Sequence, residues 1–331
     1  MIASYRGGLG AALLLVAAAA GAQNGLPGPP AWIGPAETGL SPLLPESELA
    51  LPPPGHVPDA LLSLGENIDH VLVADLARRR LYLLANHGQP RVLRQMYASI
   101  GKNGSGKEVE DDGRTPVGIY RVTEYLDDAA LPPLYGSGAF PVDYPNAWDR
   151  RAGRNGYGIW VHGVPRASYS RPPRSSEGCV AVGNADFDSL KAFVTPGNTP
   201  VVFSDRLSWI PAETQAREAA AFRERLEAWR AAWSAIDTET YLAFYAEDFR
   251  SNGMNRQAFA AHKRNVNAGK TRIDVVLRDV SLFRYPAPEP LILAEFEQDY
   301  RSDNYDAIDR KRQFWRRDDD GRWRIVLESS E

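Results

Sequence analysis

The sequence predicts two successive folded parts, a mainly β domain over residues 67–205 and an α+β unit over 217–331. Three observations carry this reading. From about Asn67, short apolar runs rich in Val, Leu, Ile and Tyr alternate with turn residues, the pattern of consecutive strands. Around Ser208–Gln215 the chain turns charged and alanine-rich, with apolar residues at three- and four-residue steps. Beyond about residue 271 the apolar period becomes two.

The bulk composition fits two globular domains. The chain has 331 residues, of which 44% are apolar and 10% aromatic, enough for sizeable cores. Lys and Arg number 38 against 42 Asp and Glu, a formal charge of −4, which excludes a basic nucleic-acid binder. Global disorder and a collagen-like chain are excluded by the same composition.

At the N-terminus, Arg6 precedes an apolar run from Leu9 to Ala20, and Ala20-Gly21-Ala22 sets small residues where a signal peptidase cuts. Residues 1–22 therefore read as a secretory signal, and the expected location is exported, in the periplasm. The run is short for a bilayer span, although an uncleaved anchor is the alternative reading. No stable membrane insertion is expected after cleavage. Residues 23–66 form a proline-rich linker or arm, with ten of the 25 prolines between 23 and 58.

Strand candidates in the first domain are 70–75, 80–84, 91–97, 118–122, 158–162, 179–182 and 199–203. Asn86-His87-Gly88-Gln89-Pro90 is a hairpin turn between the second and third. Only 184–194 reads as a helix, with Phe187, Leu190 and Val194 on one face. A linker is placed at 206–216. Next come a helix through Phe222, Leu226, Trp229 and Trp233, a second capped by Asp237 or Thr238, and a third opened by Asn255. Strands near 271–284, 290–301, 308–317 and 322–328 complete a three-helix, four-strand unit.

The strongest chemical signal is His162-Gly163 at one strand end and Ser175-Ser176-Glu177-Gly178-Cys179 at the start of another. A thiol becomes a strong nucleophile as thiolate, and an imidazole takes its proton. Gly178 permits close backbone approach, so amides around Gly178 and Cys179 can meet a developing oxyanion. Spacing alone also allows Cys179, the single cysteine, to be a small buried hydrophobe. Between Asp149 and Arg174 six arginines (Arg150, Arg151, Arg154, Arg166, Arg171, Arg174) stand against one acid. They read either as a carboxylate-binding patch, with Arg166, Arg171 and Arg174 nearest the chemistry, or as a solvated basic loop.

Several other signals fail. Gly101–Lys107 matches the start of a phosphate-binding loop, but Glu108 stands where Ser or Thr is needed and Glu110, Asp111 and Asp112 repel a nucleotide. The segment reads as a flexible hairpin loop beside the cleft. Five histidines without paired spacing and one cysteine imply no metal, and no cofactor is expected. Asp127 and Asp128 read as a solvated pair.

His162-Gly163, the sixteen residues between His162 and Cys179, and Ser176-Glu177-Gly178-Cys179-Val180 resemble the signature of the YkuD-type L,D-transpeptidase catalytic domain of bacterial cell-wall enzymes. Asp112-Gly113-Arg114-Thr115-Pro116-Val117-Gly118-Ile119-Tyr120 resembles its other recurrent segment, and Val73-Ala74-Asp75 through Leu84 its first hairpin. The resemblance implies a β-sandwich-like domain in which Cys179 is the acyl-accepting nucleophile and His162 its base. Gly163 would orient His162 through its carbonyl, and Ser176 would support the oxyanion region. The implied partner is a peptidoglycan tetrapeptide stem, attacked at its third residue with release of D-alanine. An amine then gives a cross-link, as in cell-wall remodelling. Water gives L,D-carboxypeptidase activity or release of a peptidoglycan-linked protein.

The family's usual histidine before the glycine and arginine two places after the cysteine are Glu177 and Ala181 here, as in a divergent branch. Glu177 would raise the thiol pKa unless an arginine neutralises it. A non-catalytic peptidoglycan-binding module is the rival class.

Residues 217–331 resemble the nuclear-transport-factor-like (SnoaL-like) cone by order of elements. Such cones hold a pocket, so Tyr241, Tyr245, Trp315 and Trp323 either line a glycan site or form core. Arg310-Lys311-Arg312 and Asp318-Asp319-Asp320 read as flanks of a hairpin turn.

Overall fold

A computed structural model of the chain describes residues 51–330. The export signal read at 1–22 and residues 23–50 of the arm lie outside them. In chain order the elements are β1 (His56–Pro58), β2 (Leu61–Ser63), β3 (His70–Asp75), β4 (Arg80–Asn86), β5 (Pro90–Gly101), β6 (Gly118–Arg121) and β7 (Leu126–Asp127). Then follow β8 (Gly138–Pro141), α1 (Ala147–Arg151), β9 (Trp160–His162), β10 (Arg174–Ser176), β11 (Val180–Val182), α2 (Asn184–Leu190), β12 (Pro200–Ser204) and β13 (Trp209–Pro211). The C-terminal part comprises α3 (Ala212–Ser234), α4 (Thr238–Leu242), β14 (Tyr245–Ser251), β15 (Met254–Asn255), α5 (Arg256–Ala268), β16 (Ile273–Arg284), β17 (Leu291–Ser302), β18 (Asp306–Arg317) and β19 (Trp323–Ser330). The mainly β domain followed by an α+β cone is the observed architecture.

The first sheet runs β6-β12-β3-β4-β5-β11-β9-β8-β7, with β10 joined to the end of β5. Its central strands are apolar on both faces because both are covered. Leu72, Ala74, Leu81, Leu83, Val201 and Phe203 enter the domain's own core. Their neighbours Val71, Val73, Tyr82, Leu84 and Val202 enter a second core shared with Phe283, Leu293, Phe314 and Val326 of the C-terminal sheet. Side chains of successive strand residues point to opposite faces, so one strand feeds two cores.

The second sheet runs β15-β14-β19-β18-β17-β16-β2, with α3 packed on β16. Asp237 caps α4 by accepting from the Thr240 amide at 3.1 Å, and Asn255 caps α5 by accepting from the Ala258 amide at 2.9 Å. The two sheets are clamped by charge as well as by apolar burial. Glu295, fully enclosed, takes Arg121 of the first domain and Arg312 of its own, and Arg312 reaches Asp143 at 2.8 Å. Trp148 stacks on Phe314 with ring centroids 5.5 Å apart.

The structure differs from the sequence reading in several places. The arm read to residue 66 includes β1 and β2, and β2 pairs with β16. The linker read at 206–216 holds β13, paired with β1, and the start of α3. The helix read to Val194 ends at Leu190, and a five-residue helix, α1, precedes β9. Arg310–Arg312 lie within β18 rather than at its turn, because Arg312 is drawn inward by Glu295 and Asp143. Among the described residues no helix is long and apolar enough to cross a membrane.

Candidate active site

Strands β9 and β11 run parallel, with Val161 opposite Val180 and His162 opposite Ala181. Val161 and Val180 are fully buried in the domain core. Alternation therefore turns Trp160, His162 and Cys179 to the other face. Tyr135 packs edge-on against the His162 ring, centroids 5.0 Å apart, and tilts against Trp160 at 4.7 Å.

The motif glycines are required by space. A Cβ on Gly178, whose φ is +128°, would lie 2.7 Å from the Arg114 carbonyl oxygen. A Cβ on Gly163 would lie 2.4 Å from Asn184 Oδ1. That same oxygen accepts from the Ser137 amide at 3.0 Å and the Val164 amide at 3.1 Å, pinning the chain after His162. Asn184 is a support residue that the motif reading missed.

His162 Nδ1 lies 2.5 Å from the Gly163 carbonyl oxygen, which selects the tautomer with the proton on Nδ1 and leaves Nε2 to exchange protons. Burial holds the imidazole down at about 4, against the upward pull of the Gly163 carbonyl, and Arg171 lowers it further. Cys179 is 9% exposed, and its thiol donates to the Gly158 carbonyl at 3.3 Å. Burial lifts its pKa to about 11, opposed by the Trp160 amide, Arg171 and Lys107. The resting pair is thus a neutral thiol and a neutral imidazole. Ser176 Oγ donates to the Cys179 carbonyl at 2.6 Å and accepts from the Gly178 amide at 3.1 Å, fixing the turn that presents the thiol.

The three arginines have separate surroundings. Arg166 pairs with Asp128 at the exposed rim, so Asp128 is not the merely solvated acid expected. Arg174 lies on β10 beside Gly104. Arg171 is the one whose charge bears on both Cys179 and His162. Its backbone is tied to β5 by the Tyr97 hydroxyl, which donates to the Arg171 carbonyl at 3.0 Å. The other three arginines serve structure. Arg150 bonds the Pro145 carbonyl, Arg151 pairs with Asp248, and Arg154 pairs with Asp149.

The charge expected on Glu177 is met by Lys102 at 2.7 Å, a lysine from β5's end and not an arginine. The Gly101–Lys107 segment is a tied loop and not a flexible one. Burial raises the Asp112 carboxyl, but the Glu108, Arg114 and Val109 amides and Lys107 outweigh it and hold it at about 2. Lys107 itself is buried and reaches Asp112 at 2.9 Å.

In the C-terminal domain Tyr241, Tyr245 and Trp315 are core, almost wholly buried. Trp323 borders a separate cavity with Phe222 and Arg317. A cavity of about 530 Å³ opens elsewhere, lined by Trp233, Lys263, Lys270, Tyr300 and Lys311 among others. No group of three or more His, Cys, Asp or Glu side chains among the described residues is arranged to hold a metal.

Residues 69–203 match the family model of the YkuD L,D-transpeptidase catalytic domain, and residues 221–329 that of the Cds6 C-terminal NTF2-like domain. The chain is similar to the solved structure of Bd1075 from Bdellovibrio bacteriovorus, with TM-score 0.73 and 29% identity, over 83% of this chain and 98% of that one. It is also similar to Pgp2 of Campylobacter jejuni, described as a helical cell shape determining protein. That match has TM-score 0.67 and 26% identity, over 82% of this chain and 96% of that one. No curated protein matches the chain.

Proposed function

From a chain that couples a YkuD L,D-transpeptidase catalytic domain to an NTF2-like domain, we propose an exported cysteine acyltransferase that acts on peptidoglycan tetrapeptide stems and so remodels the cell wall. The observation that carries it is the shared face of β9 and β11, to which both His162, fixed through Gly163, and the buried Cys179 thiol are turned. The similarity to a protein described as determining helical cell shape supports cell shape as the process served.

In the first half-reaction the Cys179 sulfur attacks the carbonyl carbon of the stem's third residue while His162 Nε2 takes the thiol proton. Transfer of the proton during the attack fits a resting pair that is neutral. The carbonyl oxygen takes the negative charge, stabilised by the Cys179 amide in the turn that Ser176 pins through the Gly178 amide. As the C–N bond to the terminal D-alanine breaks, His162 returns the proton to the leaving nitrogen. A thioester remains on Cys179. An amine resolves it to a new amide, and water resolves it to a carboxylate. Arg171 binds a stem carboxylate, and the lysine-rich cavity of the C-terminal domain receives glycan or stem from the same polymer. Arg166 and Arg174 form the outer rim.

Incubation of the protein with tetrapeptide muropeptides, with and without Cys179→Ala, followed by mass spectrometry of protein and products, tests this. Cysteine-dependent dimers establish transpeptidation, and tripeptide with free D-alanine establishes carboxypeptidation. Neither adduct nor product, with stems still bound, would overturn the reading in favour of a binding module.

A further inference from the structure

Helix α1 opens on a buried polar cluster that the reaction above does not use. Asp149 and Asn146 form a reciprocal cap at the start of α1. The Asp149 amide donates to Asn146 Oδ1 at 2.9 Å, and the Asn146 amide donates to Asp149 Oδ2 at 3.1 Å. Tyr120 donates its hydroxyl to Asp149 Oδ2 at 3.1 Å, and Arg154 Nη1 donates to Oδ1 at 3.0 Å. Asp149 has no exposed surface. A cap on a five-residue helix does not by itself need a buried carboxylate that accepts three bonds, because desolvation of a carboxylate is costly.

The cluster has one member from the other domain. Tyr285, just beyond β16, accepts from Asn146 Nδ2 at 2.8 Å through its hydroxyl, while the same nitrogen donates to the Ile119 carbonyl at 2.9 Å. Around it Trp148 stacks on Phe314, and Arg151 reaches Asp248. Helix α1 therefore rests on the C-terminal sheet.

At its other end the cluster holds Arg154, from which the chain runs to Gly158. Besides the Arg154 side-chain bond, the Arg154 amide donates to the Asp149 carbonyl at 2.9 Å. Asn155 is bonded on three sides. Its amide donates to the Glu108 carbonyl at 3.0 Å, its carbonyl accepts from Tyr144 at 2.9 Å, and its Oδ1 accepts from the Glu110 amide at 2.8 Å. Three residues on is Gly158, whose carbonyl accepts the Cys179 thiol.

We propose that Tyr285 of the C-terminal domain is a positioning residue for the nucleophile, acting through Asn146, Asp149 and Arg154 on the segment that ends at the Gly158 carbonyl. The C-terminal domain thereby sets the direction of the Cys179 S–H bond before substrate arrives. The inference rests on Cys179 as the nucleophile, and small displacements of a reacting group cost large factors in rate.

The test uses the full chain and two variants of graded severity. Tyr285→Phe removes only the hydroxyl, and Arg154→Gln breaks the link nearer the thiol. Alkylation of Cys179 by iodoacetamide at fixed pH needs no peptidoglycan, so it reports positioning even if the proposed substrate is wrong. Alkylation is expected to change by about fivefold in Tyr285→Phe and about tenfold in Arg154→Gln. With a tetrapeptide substrate kcat falls by similar factors while KM stays within about twofold. Arg310→Ala, which removes an interdomain bond to the Gly197 carbonyl away from this path, is expected to leave both unchanged. Wild-type alkylation and kcat in both cluster variants, or equal changes in Arg310→Ala, would overturn the proposal.

Discussion

The surroundings of the Cys179 thiol and those of Lys263 in the C-terminal domain hold polar side chains in different ways. In the catalytic domain each buried polar group near the thiol has named partners: Ser176 on the Cys179 carbonyl, Lys107 on Asp112, Asp149 on Arg154 and Tyr120. In the C-terminal domain the Lys263 ammonium lies over Trp233 at 4.4 Å, Phe259 at 5.3 Å and Tyr241 at 5.7 Å. Burial brings it down to about 8, with Glu328 pulling it up. A group tied on every side has given up its freedom before a substrate arrives. An ammonium met by ring faces keeps its hydrogen-bonding capacity in hand. The difference separates a region built to hold geometry from one that leaves a charge unspent.

The largest effect that would sharpen this contrast is Cys179→Ala. Turnover of tetrapeptide is expected to fall at least about 10³-fold while the melting temperature stays close to wild type, since the change removes one sulfur from a small site. Persistent turnover would remove the chemistry from this domain. His162→Ala comes next, with acylation slowed about 10²-fold or more in stopped-flow mass spectrometry. The proposed mechanism needs a neutral His162, so kcat/KM is expected to be flat down to about pH 5 and to fall as pH drops through about 4. Stability moves with it. His162 binds its proton in the unfolded chain from about 6.5 but in the folded one only near 4, so stability is full above 6.5 and is lost as pH falls across that window.

Third, Glu295→Ala leaves Arg121 and Arg312 enclosed without their shared anion. The expected cost is about 3 kcal/mol in chemical denaturation, with both domains still unfolding in one transition. Two separate transitions would break the picture of a shared core. The smallest effect is expected at Lys263→Met, which replaces a disfavoured ammonium by an apolar chain of similar length. A gain of about 1 kcal/mol at pH 7 is expected. Because its folded pKa lies below the unfolded 10.5, wild-type stability should rise between about pH 8 and 10.5, and the variant should lose that rise.

Much of the fold was legible because local rules and tertiary demand agree. Strands β3, β4 and β12 stood out as unbroken apolar runs since two cores claim their two faces. Asp237 and Asn255 were legible as caps because capping is a contact over three residues. What the sequence hid was held at long range. Strand β14, which carries Glu247, Asp248 and Arg250, is assigned no element from the sequence, yet Asp248 takes Arg151 and Arg316. Lys102 as the partner of Glu177 lies 75 positions away, and Asn184 reaches back 47 to Ser137. At the cleft the motif named His162 and Cys179. It gave no sign that Arg150, Arg151 and Arg154 brace the frame, because an arginine's partner is set by topology and not by its neighbours in the chain.

Strand β2 precedes the whole catalytic domain, yet it lies on the free edge of β16, where Leu61 and Leu62 are buried and the Leu61 carbonyl accepts from Gln215 at 2.7 Å. The two halves are therefore expected to be exchanged together rather than separately. A recombination event that exchanged the C-terminal half at the 206–216 junction would carry off a sheet lacking its last strand. It would leave Leu282 and Phe283 on an open rim where foreign strands can join. Shuffling such genes succeeds only when the short stretch before the first domain travels with the second, so the pair is expected to pass through lineages as one unit.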